Sequence, residues 1–109
     1  MIQILNRSHY PNNRNGVYCG RPSILGNPFT HIQTKKTLAE HLVESREQSI
    51  ISYQQYFDEQ IRTNTKFQNE INRLIKIYKI TNRLTLICWC KPLPCHVDII
   101  REYILQQVK

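Results

Sequence analysis

The segment Arg83–Trp89 (RLTLICW) constrains the fold of this chain more than any other. From Leu84 to Trp89 it is mostly apolar and does not alternate, which is the pattern of a strand buried on both faces. Such a strand lies inside a sheet, so the rest of the chain has to supply flanking strands and amphipathic helices to cover them.

The remaining segments fit that requirement. Ile2–Asn6 (IQILN) alternates and reads as a first strand. His9–Gly16 (HYPNNRNG) is rich in turn-forming residues and reads as a loop, followed by a short strand at Val17–Cys19. Thr37–Val43 reads as a short helix. Ser45-Arg-Glu-Gln48 has the form of a capping box, in which the Ser hydroxyl and Gln amide satisfy end amides. Beyond it Ile50, Ile51, Tyr53, Tyr56, Phe57 and Ile61 recur at helical spacing, and the aromatic stripe is assigned to the core. Thr63–Thr65 interrupts this helix. A second helix is marked by Phe67, Ile71, Leu74, Ile75 and Tyr78, and a closing one by Val97, Ile100, Ile104, Leu105 and Val108.

The order β-β-α-α-β-α predicts a small α/β domain over residues 1–109, with a short, mostly parallel sheet of about three strands flanked by helices. A length of 109 residues holds one core, and 40% hydrophobic with 21% charged residues excludes a disordered chain. No apolar run approaches the roughly 18 residues needed to cross a bilayer. The opening MIQILNRSHY lacks the features of a signal peptide. The expectation is a cytoplasmic protein with no membrane partner, whose four cysteines are thiols or metal ligands rather than disulfides.

Charge bears on the partner. The formal net charge is +7, with no Asp or Glu before Glu40 but Arg7, Arg14, Arg21, Lys35 and Lys36 in that stretch. From Arg62 to Lys91, seven basic residues face Glu70 alone. A balance of this kind concentrates anions, whether nucleotides, nucleic acid or acidic proteins.

Two loops carry the unusual chemistry. In Gly20–Phe29 (GRPSILGNPF), Gly20 and Gly26 allow backbone angles forbidden to other residues and close approach of a ligand. Pro22 and Pro28 stiffen the segment. Arg21 offers a planar fork of donors for phosphate or carboxylate, and Ser23 and Asn27 add short polar groups. The spacing is neither a Walker A loop nor a dinucleotide fingerprint. The competing reading is a demanding turn in which Arg21 pairs with a carboxylate or with carbonyls.

In Cys88–His96 (CWCKPLPCH), Cys88 and Cys90 point to one side of the strand and Trp89 to the other. Cys95 opens the last helix, where the helix dipole favours a thiolate, and His96 beside it can act as acid or base. Asp98 orients His96 or caps helix amides. Zinc on Cys88, Cys90, Cys95 and His96 is a competing reading, although the spacing is not that of common zinc modules. Buried cysteines packing as small apolar groups are another. No cofactor is assigned. Both loops leave strands at their carboxyl ends, where parallel α/β sheets bind ligands. His9, Tyr10, Arg14 and Tyr18 flank the first loop, and Ser45 and Arg46 sit at a helix start with anion-binding geometry.

The early Asn-Arg pair together with VYCGRPSILGNPF, SREQSIISYQQYF and LICWCKPLPCHVDII resembles the uncharacterised domain-of-unknown-function family numbered 4326, which is common in bacteriophages and bacteria. The resemblance covers nearly the whole chain and implies a Rossmann-like α/β module. It implies a site made of Asn6, Arg7, Gly20, Arg21, Ser23, Gly26, Asn27, Pro28, Phe29, Ser45, Arg46, Cys90, Pro92, Cys95 and His96. Cys19 stands where the family usually has an aliphatic residue, which assigns it to the core, and Val97 where Gly or Ala is frequent.

The functional expectation is a protein that binds a nucleotide or nucleotide-derived anion between the two loops. One alternative is an enzyme acting on such a ligand through Cys95 and His96. Others are a nucleic-acid-binding protein working by charge, and a structural zinc module.

Overall fold

The computed structural model describes residues 2–7, 16–21, 23–30, 41–42, 45–89 and 95–108. Its elements are β1 (Ile2–Asn6), β2 (Gly16–Tyr18), β3 (Phe29–Thr30), β4 (His41–Leu42), α1 (Arg46–Thr63), α2 (Thr65–Thr81), β5 (Leu84–Cys88) and α3 (Val97–Gln107). They form a small α/β domain. The main sheet has the order β1-β5-β2, and both of its pairings are parallel. The apolar strand thus lies in the centre, with Leu86 in register with both Ile4 and Val17.

Alternation along β5 divides its side chains. Leu84, Leu86 and Cys88 join the main core with Ile71, Leu74, Ile100 and Ile104 from α2 and α3, whereas Ile87 is buried on the opposite face. Each such aliphatic side chain, fully buried, contributes roughly 1.5–3 kcal/mol. α1 adds Tyr53 and Phe57, and Phe57 meets Phe67 of α2 edge to face with ring centres 5.4 Å apart. Tyr53 and Phe57 are core residues, as their helical spacing predicts, while Tyr56 is half-buried against them.

One residue separates α1 from α2. Asn64 donates its backbone N–H to the Gln60 carbonyl, ending α1, and its side chain accepts from Phe67 N at 3.2 Å, starting α2. At the start of α1, Ser45 Oγ accepts from Gln48 N at 3.1 Å, one half of the expected capping box. The Gln48 amide instead donates to Ser52 Oγ, one turn on.

The short helix expected at Thr37–Val43 is corrected where the chain is described. His41 and Leu42 form β4, paired in parallel with β3 in a separate two-stranded sheet, and residues 37–40 and 43 lie outside the described residues. Seven residues are too few to repay helix nucleation unaided, whereas the main chain at Phe29–Thr30 offers a ladder.

Candidate functional site

Because β1, β5 and β2 are parallel, their carboxyl ends lie along one edge, and the residues that follow them meet there. Arg7 N donates to Cys88 O at 2.7 Å, Cys19 N to Ile87 O at 2.9 Å, and Asn6 Nδ2 to Trp89 O at 3.1 Å. Trp89 Nε1–H donates to Tyr18 Oη at 2.9 Å, and that hydroxyl donates to Arg21 O at 2.7 Å. Three strand ends far apart in sequence are thereby tied into one surface.

The Gly20–Phe29 segment closes on itself through Ser23 N to Gly20 O and Gly26 N to Ser23 O, at 2.8 and 2.9 Å. Its glycines are required for space. None of the described glycines has a positive φ, which corrects the expectation of forbidden backbone angles. A Cβ on Gly26 would lie 2.9 Å from Gly20 O and 3.0 Å from Arg21 N. One on Gly20 would collide with the Tyr18 ring.

α1 holds this segment from beneath. Asn27, buried, donates from Nδ2 to Ser49 Oγ at 2.8 Å and accepts from Phe29 N at 2.9 Å. Ser49 Oγ donates to Phe29 O, and Tyr53 Oη donates to Leu25 O at 2.8 Å. Arg21 spends one guanidinium nitrogen on the carbonyls of Asn27 and Phe29, at 2.8 and 3.3 Å. Part of its fork therefore serves the loop, as the competing turn reading describes; Nε and Nη2 donate to no described residue. Ser23 Oγ is buried without a hydrogen-bond partner.

At the start of α3, Cys95 N donates to Asp98 Oδ2 at 3.1 Å, so Asp98 acts as a cap. His96 is 6% exposed. Its Nε2 lies 2.7 Å from Cys19 O, and since a carbonyl only accepts, Nε2 carries the proton. Nδ1 is then an acceptor facing Cys95 Sγ at 3.6 Å. The ring packs against Tyr53, with centres 4.9 Å apart. Burial, with the Arg21 charge adding to it, pushes the His96 pKa down to about 4 against the pull of Cys19 O and Asp98. The imidazole is neutral at pH 7. Cys19 lies wholly in the core, as expected, and burial, then the neighbouring Cys88, pushes its thiol up to about 12. Burial likewise holds the Tyr53 phenol well above its ordinary range.

The structure thus brings Asn6, Arg7, Gly20, Arg21 and His96 to one edge, and packs Ser23, Gly26, Asn27, Pro28 and Phe29 into a segment anchored on α1. Ser45 caps α1, and Arg46 opens it with no hydrogen-bonding or ionic partner among the described residues. Cys90, Pro92, Pro22, His9, Tyr10 and Arg14 lie outside the described residues. Of the zinc candidates, Cys88, Cys95 and His96 are buried, and among the described residues no three His, Cys, Asp or Glu side chains gather as a metal-binding group. No helix among the described residues is long and apolar enough to cross a membrane.

Sequence reasoning missed the supports: Ser49, Tyr53 as a hydrogen-bond donor and ring partner of His96, and the Tyr18–Trp89 pair. Helical spacing conceals the first two as core positions. The last is hidden because the apolar run places Trp89 in the buried strand, whereas β5 ends at Cys88 and Trp89 is exposed.

A family model described as "Domain of unknown function (DUF4326)" matches residues 2–106. No curated protein and no solved structure matches the chain.

Proposed function

Because the chain belongs to the DUF4326 family, whose description carries no activity, its own residues must supply the reading, and we propose that it binds a nucleotide or nucleotide-derived anion at the carboxyl edge of its parallel sheet. The binding site lies between Gly20–Phe29 and Cys88–His96. One observation carries this: Asn6, Arg7, Cys19–Arg21 and Trp89, from three separate strand ends, are hydrogen-bonded into one surface. Parallel sheets bind ligands at such an edge because the loops there diverge over the strand ends. The remaining donors of Arg21 and the orphan hydroxyl of Ser23 suit oxygen-rich ligands. A net charge of +7 raises the local concentration of anions. Cys19, Cys88 and Cys95 are buried and joined in no disulfide, which fits a reducing compartment such as the cytoplasm.

Calorimetry and thermal shift with a panel of mono-, di- and cyclic nucleotides test it. Several should bind, and Arg21→Lys, which keeps the charge but loses the fork, should weaken binding by roughly tenfold. A folded sample stabilised by no nucleotide in the panel refutes the reading.

The thiol–imidazole approach of Cys95 and His96 favours a second reading, an enzyme acting on the bound ligand. It ranks below binding, since burial lowers the His96 pKa to about 4 and so leaves Nδ1 a weak base toward the thiol. Turnover that survives both Cys95→Ser and His96→Ala would remove it.

A further inference from the structure

We propose that the indole of Trp89 is the stacking surface for the base of the bound nucleotide, and that it accepts different bases alike. This rests on the binding reading above and adds how the base is held. Trp89 is the chain's single tryptophan and is 59% exposed, although it directly follows the most buried strand. The ring is held by a side-chain hydrogen bond, and the main chain that carries it by another. Its Nε1–H is bound by the Tyr18 hydroxyl, whose own proton is bound by Arg21 O. Asn6 grips its carbonyl.

The hydroxyl of Tyr18 accepts once and donates once, so the orientations of both aromatic rings are tied to the Gly20–Phe29 segment. Gly20 is part of the device, because any side chain there would push the Tyr18 ring off the loop. A ring fixed in this way loses its rotamer freedom on folding rather than on binding, which favours affinity. It is tied through Tyr18 to the main-chain carbonyl of Arg21, the residue whose side chain suits an anion. A planar ring on the same strand-end surface as Arg21 matches a planar base joined to a phosphate.

Selectivity follows from the same bonds. The only polar group of the indole is committed to Tyr18 and cannot read the edge of a base. What remains is the π face, and stacking tolerates every base. Purines gain somewhat over pyrimidines through larger overlap.

The test is a titration of the full chain, followed by tryptophan fluorescence and calorimetry together, with AMP, GMP and UMP, and with ribose 5-phosphate as the baseless control. The three nucleotides should quench Trp89 and bind within about tenfold of one another, while ribose 5-phosphate binds more weakly and leaves emission unchanged. Trp89→Phe should keep affinity within a few-fold, and Trp89→Ala should lose roughly tenfold or more. Tyr18→Phe, which removes only the hydroxyl, should alter the emission of the free protein and weaken AMP binding. Calorimetric binding of AMP with unchanged emission, or Trp89→Ala binding as tightly as the parent, overturns the stacking role and leaves the binding site standing. Absence of both heat and quenching with all three nucleotides overturns the stacking role, and the same result across the mono-, di- and cyclic nucleotide panel overturns the binding site as well.

Discussion

At the level of single residues, the imidazole of His96 couples the site to pH. It is buried neutral, with its Nε2–H donated to Cys19 O, and its pKa is lowered from 6.5 to about 4. A depressed folded-state value means that the unfolded chain takes up the proton first as pH falls. The contribution is therefore intact above pH 6.5, is lost progressively between about 6.5 and 4, and changes no further below. The total is about 3 kcal/mol. Urea unfolding from pH 7.5 to 3.5 should show this decline, and His96→Phe should flatten it; an unchanged slope in the variant would assign the acid sensitivity elsewhere. Gly26 makes a different demand. The peptide joining Gly20 and Arg21 lies where its Cβ would go, and Gly26→Ala should cost about 1–3 kcal/mol, read as a lowered Tm. Composition pointed to this glycine, but gave a different reason. A sequence shows that a residue lacks a side chain, not whether the need is for a dihedral angle or for room.

The elements were legible in proportion to their length. α1, α2, β5 and α3 each carry enough apolar positions to show a period, and Ser45 announces α1 by its hydroxyl. β3 and β4 have two residues each and so no period at all; their pairing is decided by what the fold places alongside. The break between α1 and α2 was visible at Thr63–Thr65, but the residue responsible is Asn64, whose side chain serves α2 while its N–H serves α1. Asn64→Ala should then cost about 1–2 kcal/mol, the upper part of the range for a lost N-cap, because the aromatic contact between the two helices depends on the angle it sets. At the other end of α2, Asn82 is the one non-glycine described residue with positive φ, at 58°. Asn82→Gly should be close to neutral there and Asn82→Ala destabilising. If Asn82→Gly has a lower denaturant midpoint than Asn82→Ala, or Asn64→Ala keeps the parent midpoint, capping is not what delimits these helices.

Over the whole molecule, the site is a product of topology. The parallel order β1-β5-β2 sets residues 6, 18–21 and 89 side by side, and no local pattern in the sequence encodes that adjacency. The two loops could be singled out, since Gly, Pro, Arg, Cys and His are dense in them. Their support by Ser49 and Tyr53 could not, because a serine and a tyrosine on a helix look like any others until the helix is docked. This has a thermodynamic consequence. A ligand seated across three strand ends touches β1, β2 and β5 at once, so it cannot be released by local opening of one loop and must stabilise the global fold. Binding to the folded state alone contributes about 2.7 kcal/mol at a ligand concentration 100 times Kd. In a domain of this length that raises Tm by roughly 10 °C or more. Hydrogen exchange should then slow in β1, β2 and β5 together when AMP is added, with β1 responding as much as β2. Protection confined to Gly20–Phe29 would mean a ligand held by the loop alone, and the three-strand surface would lose its role in binding.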